Sequence, residues 1–97
     1  MPLDTPPAII EVLTDHGGSL GERGFVMDWL KRNGVQVHIV GTCISACTWL
    51  LTLPPDQICV APQAWIGSHV RDDLSTDELR FERGRDLIER GYRECIR

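Results

Sequence analysis

The chain has little positive charge for its size. Its 97 residues include 10 lysines and arginines against 14 aspartates and glutamates, for a net charge of −4. The segment from Arg71 onward mixes seven arginines with eight acidic residues, so it offers no basic patch either. Proteins that bind nucleic acids usually concentrate lysine and arginine on one surface. We therefore expect no nucleic-acid partner.

Long apolar runs are also missing. No stretch approaches the roughly 18 residues that a membrane-spanning helix requires. The N-terminus, M-P-L-D-T-P-P, lacks both the basic start and the apolar stretch of a signal peptide. These features predict a cytoplasmic protein with no membrane partner.

Cysteine is the residue type that complicates this prediction. An even number of cysteines in a short chain is typical of exported, disulfide-bonded domains. Nothing in the sequence pairs Cys43 and Cys47 with a second cysteine pair or a histidine at zinc-finger spacing, which argues against a structural zinc site. We interpret the four as small buried residues, with disulfides as the alternative. They are Cys43, Cys47, Cys59 and Cys95.

Hydrophobic periodicity divides the first half of the chain into alternating elements. The size and composition predict one domain over 1–97, with 1–7 as an N-terminal arm. β-branched runs predict strands, apolar residues at helical spacing predict helices, and Asn33-Gly34 and Pro54 supply stops. The predicted elements are a strand over 8–14, a helix over 19–33, a strand over 35–40 and a helix over 46–53.

The second half predicts two further strands and a helix. Strands are expected over 57–61 and 64–70, separated by Pro62-Gln63. Ser75 and Glu78 fit a capping box, which predicts a C-terminal helix over 75–97. This order predicts an α/β fold: a small, mostly parallel sheet of three to four strands with flanking helices.

Polar residues and glycines collect where three of the predicted strands end. Gly17-Gly18 follows the first strand, Ser45 follows the second, and His69 closes the fourth. The carboxyl ends of parallel strands share one edge of the sheet. A hydrolytic serine needs a nearby base and backbone N–H donors for the oxyanion, and these residue types can supply both.

Three stretches carry a family resemblance: L-T-D-H-G-G-S-L, G-T-C-I-S-A-C-T-W-L-L and V-A-P-Q-A-W-I-G-S-H. Together they resemble the Clp-type serine peptidases of the crotonase-like superfamily, which carry a Gly-Gly-Ser loop, a serine four residues after a glycine, and a later histidine. Here Gly41 precedes Ser45 by four positions and His69 follows it by 24. The C-x-S-A-C motif at residues 43–47 is similar to that of small uncharacterised bacterial and phage proteins of this superfamily.

The resemblance implies a minimal Clp-peptidase or crotonase-like core over about residues 8 to 70. It implies Ser45 as the nucleophile, His69 as its general base, and the backbone amides of Gly18 and Ala46 as the oxyanion hole, with no cofactor and no metal. The family's triad aspartate falls beyond residue 97. Asp72 or Asp73 could orient the imidazole, although both also fit surface charges in a turn.

Other interpretations of the same residues stay open. Ser45 could bond a helix turn, and His69 could be a strand-end residue bonded to a carbonyl. The chain could be a catalytically inactive scaffold that binds a protein partner, for instance as a phage or mobile-element inhibitor. It could also bind acyl thioesters through the same oxyanion hole. An uneven apolar face on the C-terminal helix predicts a homo-oligomer, with protein or peptide as substrate or partner.

Overall fold

The computed structural model describes residues 8–17, 20–69 and 79–96. Over these ranges the elements are β1 (Ile9–Asp15), α1 (Leu20–Asn33), β2 (Gln36–Ile44), a 3₁₀ helix (Ser45–Thr52), β3 (Ile58–Val60), β4 (Trp65–His69), β5 (Leu79–Arg83) and α2 (Gly84–Glu89). Strands and helices alternate as far as β3, which is the first of three successive strands that precede the last helix.

The five strands of the described residues form one mixed sheet. Its order is β1-β2-β4-β5, and β3 also pairs with β2. Strand β2 is long enough to hold two neighbours on one side, because β3 pairs with Val37 to Ile39 and β4 pairs with Thr42 to Ile44. These pairings and that of β1 with β2 are parallel, whereas β5 is antiparallel to β4. The α/β class is confirmed, but the sheet has more strands than predicted and is not purely parallel.

The predicted C-terminal helix is largely wrong. Leu79 to Arg83 form a strand against β4, and α2 covers only Gly84–Glu89. The reason is visible in the sequence L-R-F-E-R, which alternates apolar and charged residues as a strand with one exposed face does. The predicted capping box of Ser75 and Glu78 lies outside the described residues.

The helix predicted after Ser45 exists in a tighter form. Residues Ser45–Thr52 form a 3₁₀ helix instead of an α-helix. Bonds spanning three residues hold it: the Leu53 N–H donates to the Leu50 carbonyl, and the hydroxyl of Thr48 donates to the Ser45 carbonyl. Runs of 3₁₀ helix longer than three or four residues are uncommon, and this one continues for eight residues before it ends ahead of Pro54.

The described residues share one hydrophobic core. Buried side chains come from α1, the 3₁₀ helix, α2, strands β1 to β4 and residues flanking these elements: Val12, Met27, Leu30, Val35, Val37, Ile39, Cys43, Cys47, Leu50, Leu53, Ile58, Val60, Ala64, Ile66 and Leu87. The buried amide of Gln57 donates to the carbonyls of Leu30 and Val35, so its polar atoms are satisfied. Among the described residues no helix is both long and apolar enough to cross a membrane.

Gly41 sets the path of β2 toward the site. The β1–β2 register shifts between Val12 and Thr14, where β2 carries one extra residue. A Cβ placed on Gly41 would lie 2.0 Å from the carbonyl oxygen of Leu13, which is far too close for any side chain. Only glycine fits this bulge, and beyond it β2 continues to Ile44 and delivers Ser45 at the sheet edge.

Candidate functional site

Ser45 occupies a sharp turn between strand and helix. Ile44 is extended, with φ −126° and ψ 143°, and Ser45 follows with φ 60°. Among the described residues, Ser45 is the one non-glycine residue with positive φ. The left-handed region costs an L-residue roughly 1–2 kcal/mol. Strain of this kind is often found where a side chain is presented for function, and a nucleophilic serine on a strand-to-helix turn is one example.

A disulfide bond encloses this turn. Cys43 and Cys47 are bonded, with their Cα atoms 5.3 Å apart, and both side chains are fully buried. The sequence interpretation of these cysteines as buried residues beside a crowded turn is confirmed for their burial, and the disulfide is the alternative that the structure contains. The bond joins the end of β2 to the first turn of the 3₁₀ helix, so it restrains Ser45 between them.

The glycine loop after β1 lies directly against the serine turn. Gly17 has φ 97°, and a Cβ placed on it would lie 3.0 Å from the Ser45 Cβ and 3.2 Å from the Ala46 nitrogen. The structure therefore brings Gly17, Ser45 and Ala46 into contact. Gly18, the predicted second oxyanion donor, lies outside the described residues.

A carboxylate anchors the loop, and sequence reasoning missed it. Asp15 accepts a hydrogen bond from the Gly17 N–H at 2.9 Å and another from the Arg23 guanidinium at 2.6 Å. Arg23 also donates to the Gly17 carbonyl at 3.4 Å. The available signal was the D-x-G spacing, which favours a turn closed by the aspartate side chain. Arg23, on the first turns of α1, could not be matched to it by sequence alone.

The environment of Asp15 favours its charged form. Partial burial acts to raise the pKa of this carboxyl, but the hydrogen bonds from Arg23 and Gly17 and the positive charge of Arg23 outweigh burial, so the pKa lies below its ordinary value of 3.8. The loop is thus held by an ionised carboxylate at neutral pH.

His69 ends the strand next to Ser45. Strands β2 and β4 run parallel, and Ile44 pairs with Gly67, so both strands reach the same sheet edge at Ser45 and His69. The side chain of His69 lies outside the described part of the chain, as do Asp72 and Asp73. The contact between the Ser45 hydroxyl and the His69 imidazole stays a prediction.

A second group of reactive side chains lies elsewhere on the sheet. Cys59 and Cys95 form a disulfide with Cα atoms 4.9 Å apart. One nitrogen of His38 and the two sulfur atoms all lie within 4.8 Å of one another. His38 and Cys95 also line a cleft of about 380 Å³, together with Glu11 and Glu94. His38 lies within the strand predicted over 35–40, and no metal ligand is predicted from the sequence.

An exposed aromatic surface covers the β4–β5 pair. The rings of Trp65 and Phe81 stack with centroids 5.2 Å apart and planes 9° from parallel. The guanidinium carbon of Arg83 lies 4.5 Å from the centre of the Trp65 ring. Trp65 and Phe81 remain 37% and 43% exposed. We call these three residues the aromatic surface.

Comparisons with known proteins add no assignment to this geometry. Family models, curated proteins and solved structures were each compared with the chain, and none of the three comparisons found a match.

Proposed function

We propose that this protein is a serine hydrolase that resembles the Clp-type peptidases and acts on peptides. Ser45 is the nucleophile, His69 is the general base, and the amides of Gly18 and Ala46 stabilise the oxyanion. The observation that carries the proposal is the backbone of Ser45, which has φ 60° on a strand-to-helix turn. Residues held in this conformation are often found at functional positions, and the nucleophilic serine of a strand-to-helix turn is one of them.

Two further features support this proposal. The Ala46 nitrogen belongs to the residue after the nucleophile, where hydrolases of this kind take an oxyanion donor. The glycine loop lies against that nitrogen, with 3.2 Å between it and a Cβ placed on Gly17, so backbone and not side chain faces the turn. Bare backbone leaves room for a substrate carbonyl to approach.

Labelling by a fluorophosphonate tests the proposal. We expect covalent modification at Ser45, identified by peptide mass spectrometry and lost in Ser45→Ala. His69→Ala should slow labelling by on the order of 100-fold or more, since the base activates the hydroxyl. Ser68→Ala, one residue before His69 on β4, is the matched control and should label normally. A folded wild-type protein that does not label would falsify the hydrolase proposal.

The aromatic surface favours a second candidate, an inactive scaffold that binds a protein partner. Tryptophan and arginine dominate the binding energy of many protein interfaces, and here Trp65 and Arg83 are exposed in contact with each other. A phage or mobile-element inhibitor would act in this way. Under this candidate, Ser45→Ala keeps biological activity and Trp65→Ala removes it, whereas the hydrolase proposal expects the reverse.

The assembly and the compartment are also proposals. Phe25, Val26 and Trp29 lie exposed along α1, which supports self-association. Light scattering should then give a mass above that of one chain, and a monomer at high concentration would contradict this. The two disulfides favour an oxidising compartment over the cytoplasmic location that the N-terminus predicts.

A further inference from the structure

Three neighbouring backbones bring an imidazole and two sulfur atoms together. His38 on β2 pairs with Cys59 on β3 in parallel register, so the two side chains leave the same face of the sheet. The C-terminal segment lies on the other side of β3: the Val60 N–H donates to the Arg93 carbonyl, and the Cys95 N–H donates to the Val60 carbonyl. This pairing places Cys95 beside Cys59.

Once the Cys59–Cys95 disulfide is reduced, the group has the composition of a zinc site. One nitrogen of His38 and the sulfur atoms of Cys59 and Cys95 lie within 4.8 Å of one another. Tetrahedral zinc with bonds of about 2.3 Å to sulfur and about 2.0 Å to nitrogen needs ligand atoms roughly 3.4–3.8 Å apart. The two sulfur atoms are now bonded, as in any disulfide about 2.05 Å apart, so after reduction they must separate by roughly 1.7 Å while the nitrogen moves closer by about 1 Å or less. Rotation of the freed side chains is the movement that this requires.

The cleft next to this group suits a cation. His38 and Cys95 line it, and so do Glu11 and Glu94, whose carboxylates make its electrostatic potential more negative. Glu11 is the register partner of His38 on β1, which puts a carboxylate next to the imidazole in the same row of the sheet. A water molecule in the cleft can complete a four-coordinate site.

We propose that the reduced protein binds one zinc ion through His38, Cys59 and Cys95, and that a disulfide oxidant releases it. The oxidant takes two electrons from the two thiolates and two protons from solvent, leaves as two thiols, and the Cys59–Cys95 bond re-forms as Zn²⁺ departs. A dithiol reductant donates two electrons and two protons to the Cys59–Cys95 bond, giving two thiols and a cyclic disulfide of the reductant. Zinc then displaces the two thiol protons and binds both thiolates, with the neutral imidazole as third ligand.

This site gives the C-terminal segment two alternative attachments to β3. In an oxidising compartment the disulfide joins Cys95 to Cys59, and in a reducing one the metal joins the same residues. Cys59 is only 2% exposed, whereas Cys95 is half-buried beside the open cleft. The reductant and the metal therefore reach the pair from the side of Cys95.

Metal titration of the full-length protein tests the proposal. The protein is reduced with a phosphine under nitrogen and titrated with Zn²⁺, with stoichiometry read by native mass spectrometry. Co²⁺ serves as the spectroscopic probe, because thiolate ligands give it a strong charge-transfer absorption. We expect one ion per reduced chain, a thiolate–cobalt band, and no binding to the oxidised protein.

Matched variants assign the ligands. His38→Ala and Cys95→Ser should weaken zinc binding by at least about 100-fold, a loss that even supporting residues around zinc can cause. His16→Ala removes an exposed loop histidine, and the double variant Cys43→Ser, Cys47→Ser removes the other thiol pair. Both controls should bind zinc as the wild-type protein does.

Several results would overturn the proposal. They are an absence of zinc binding by the reduced protein, unchanged affinity in His38→Ala, or loss of binding in the Cys43 and Cys47 variant alone. If reduction unfolds the protein, zinc should restore its circular dichroism spectrum in the wild type and not in His38→Ala. Failure of zinc to restore that spectrum also rejects the site.

Discussion

Ser45 holds a backbone conformation that is unfavourable for a residue with a side chain. Two substitutions at this position can therefore separate the cost of the backbone strain from the role of the hydroxyl. Ser45→Gly removes the side chain that causes the strain, and Ser45→Ala keeps a Cβ at φ 60°. Both variants lose the hydroxyl, so the difference between them reports the backbone alone. We expect Ser45→Gly to be more stable than Ser45→Ala by about 1 kcal/mol.

Urea denaturation of the two variants measures this difference, and fluorophosphonate labelling should be absent from both. Equal stabilities would show that the turn relaxes in the variants and that φ 60° carries no strain.

Asp15 should make the stability of the protein fall as the pH is lowered. Its pKa is lower in the folded protein than its ordinary value of 3.8, so folding favours the charged carboxylate. The stability that this carboxylate contributes is complete above about pH 5 and declines as the pH falls through 3.8 and then through the lower folded pKa. Asp15→Asn should destabilise the protein by about 2 kcal/mol at pH 7, and this difference should shrink over that interval.

The control for Asp15 is Asp28→Asn. Asp28 pairs with Arg32 on the exposed face of α1, where both side chains are about two-thirds or more exposed. Removal of this exposed ion pair should lower the free energy of unfolding by less than about 0.5 kcal/mol. Unfolding measured from pH 7 to pH 3 compares the two variants, and a constant Asp15→Asn effect across that range would contradict the prediction.

At the scale of elements, Gly41 decides how β1 and β2 meet. Gly41→Ala would put a Cβ 2.0 Å from the Leu13 carbonyl oxygen, so one of the strands must move. We expect the free energy of unfolding to fall by at least about 2 kcal/mol, as it does when other substitutions force a side chain into a packed core. Gly24→Ala is the matched control: apart from its chain neighbours and the nearby backbone of its own helix, no atom lies within 4 Å of the added Cβ, and alanine favours the helix by up to about 1 kcal/mol.

Thermal unfolding followed by circular dichroism measures both glycine variants. The melting temperature should fall for Gly41→Ala and rise or stay level for Gly24→Ala. An unchanged melting temperature for Gly41→Ala would contradict the prediction, because it would mean that the two strands accommodate the added Cβ without loss of stability.

Local patterns predicted most elements well and failed where two patterns overlapped. Helix α1 begins and ends close to its predicted limits, because its apolar spacing and its Asn33-Gly34 stop agree. The residues from Leu79 follow both a helix-start signal and a strand alternation, and pairing with β4 decides for the strand. A single sequence cannot weigh that pairing, since the partner lies ten or more residues away.

At the scale of the whole molecule, two disulfides close loops of very different length. Cys43 and Cys47 are 4 residues apart and Cys59 and Cys95 are 36 apart. Each disulfide lowers the entropy of the unfolded chain by closing a loop. This effect predicts that the short-loop disulfide stabilises the folded protein by about 2 kcal/mol and the long-loop disulfide by about 4 kcal/mol. Replacing Cys59 and Cys95 by serine should therefore destabilise the protein more than replacing Cys43 and Cys47.

Chemical denaturation under oxidising conditions compares the two double variants. A reversed order would show that the short disulfide acts mainly on the folded state, by holding the turn at Ser45.

The sequence by itself determined the α/β class, the strand–turn–helix order around Ser45 and the glycine loop, because each depends on residues close together in the chain. The tertiary structure decided what is remote in sequence: the five-stranded mixed sheet, the contact of Gly17 with Ser45 and Ala46, the ion pair of Asp15 with Arg23, and the meeting of His38, Cys59 and Cys95. These arrangements depend on strand register and on the path of the C-terminal segment. Local residue preferences do not encode either, because register and path are set only when the whole sheet packs.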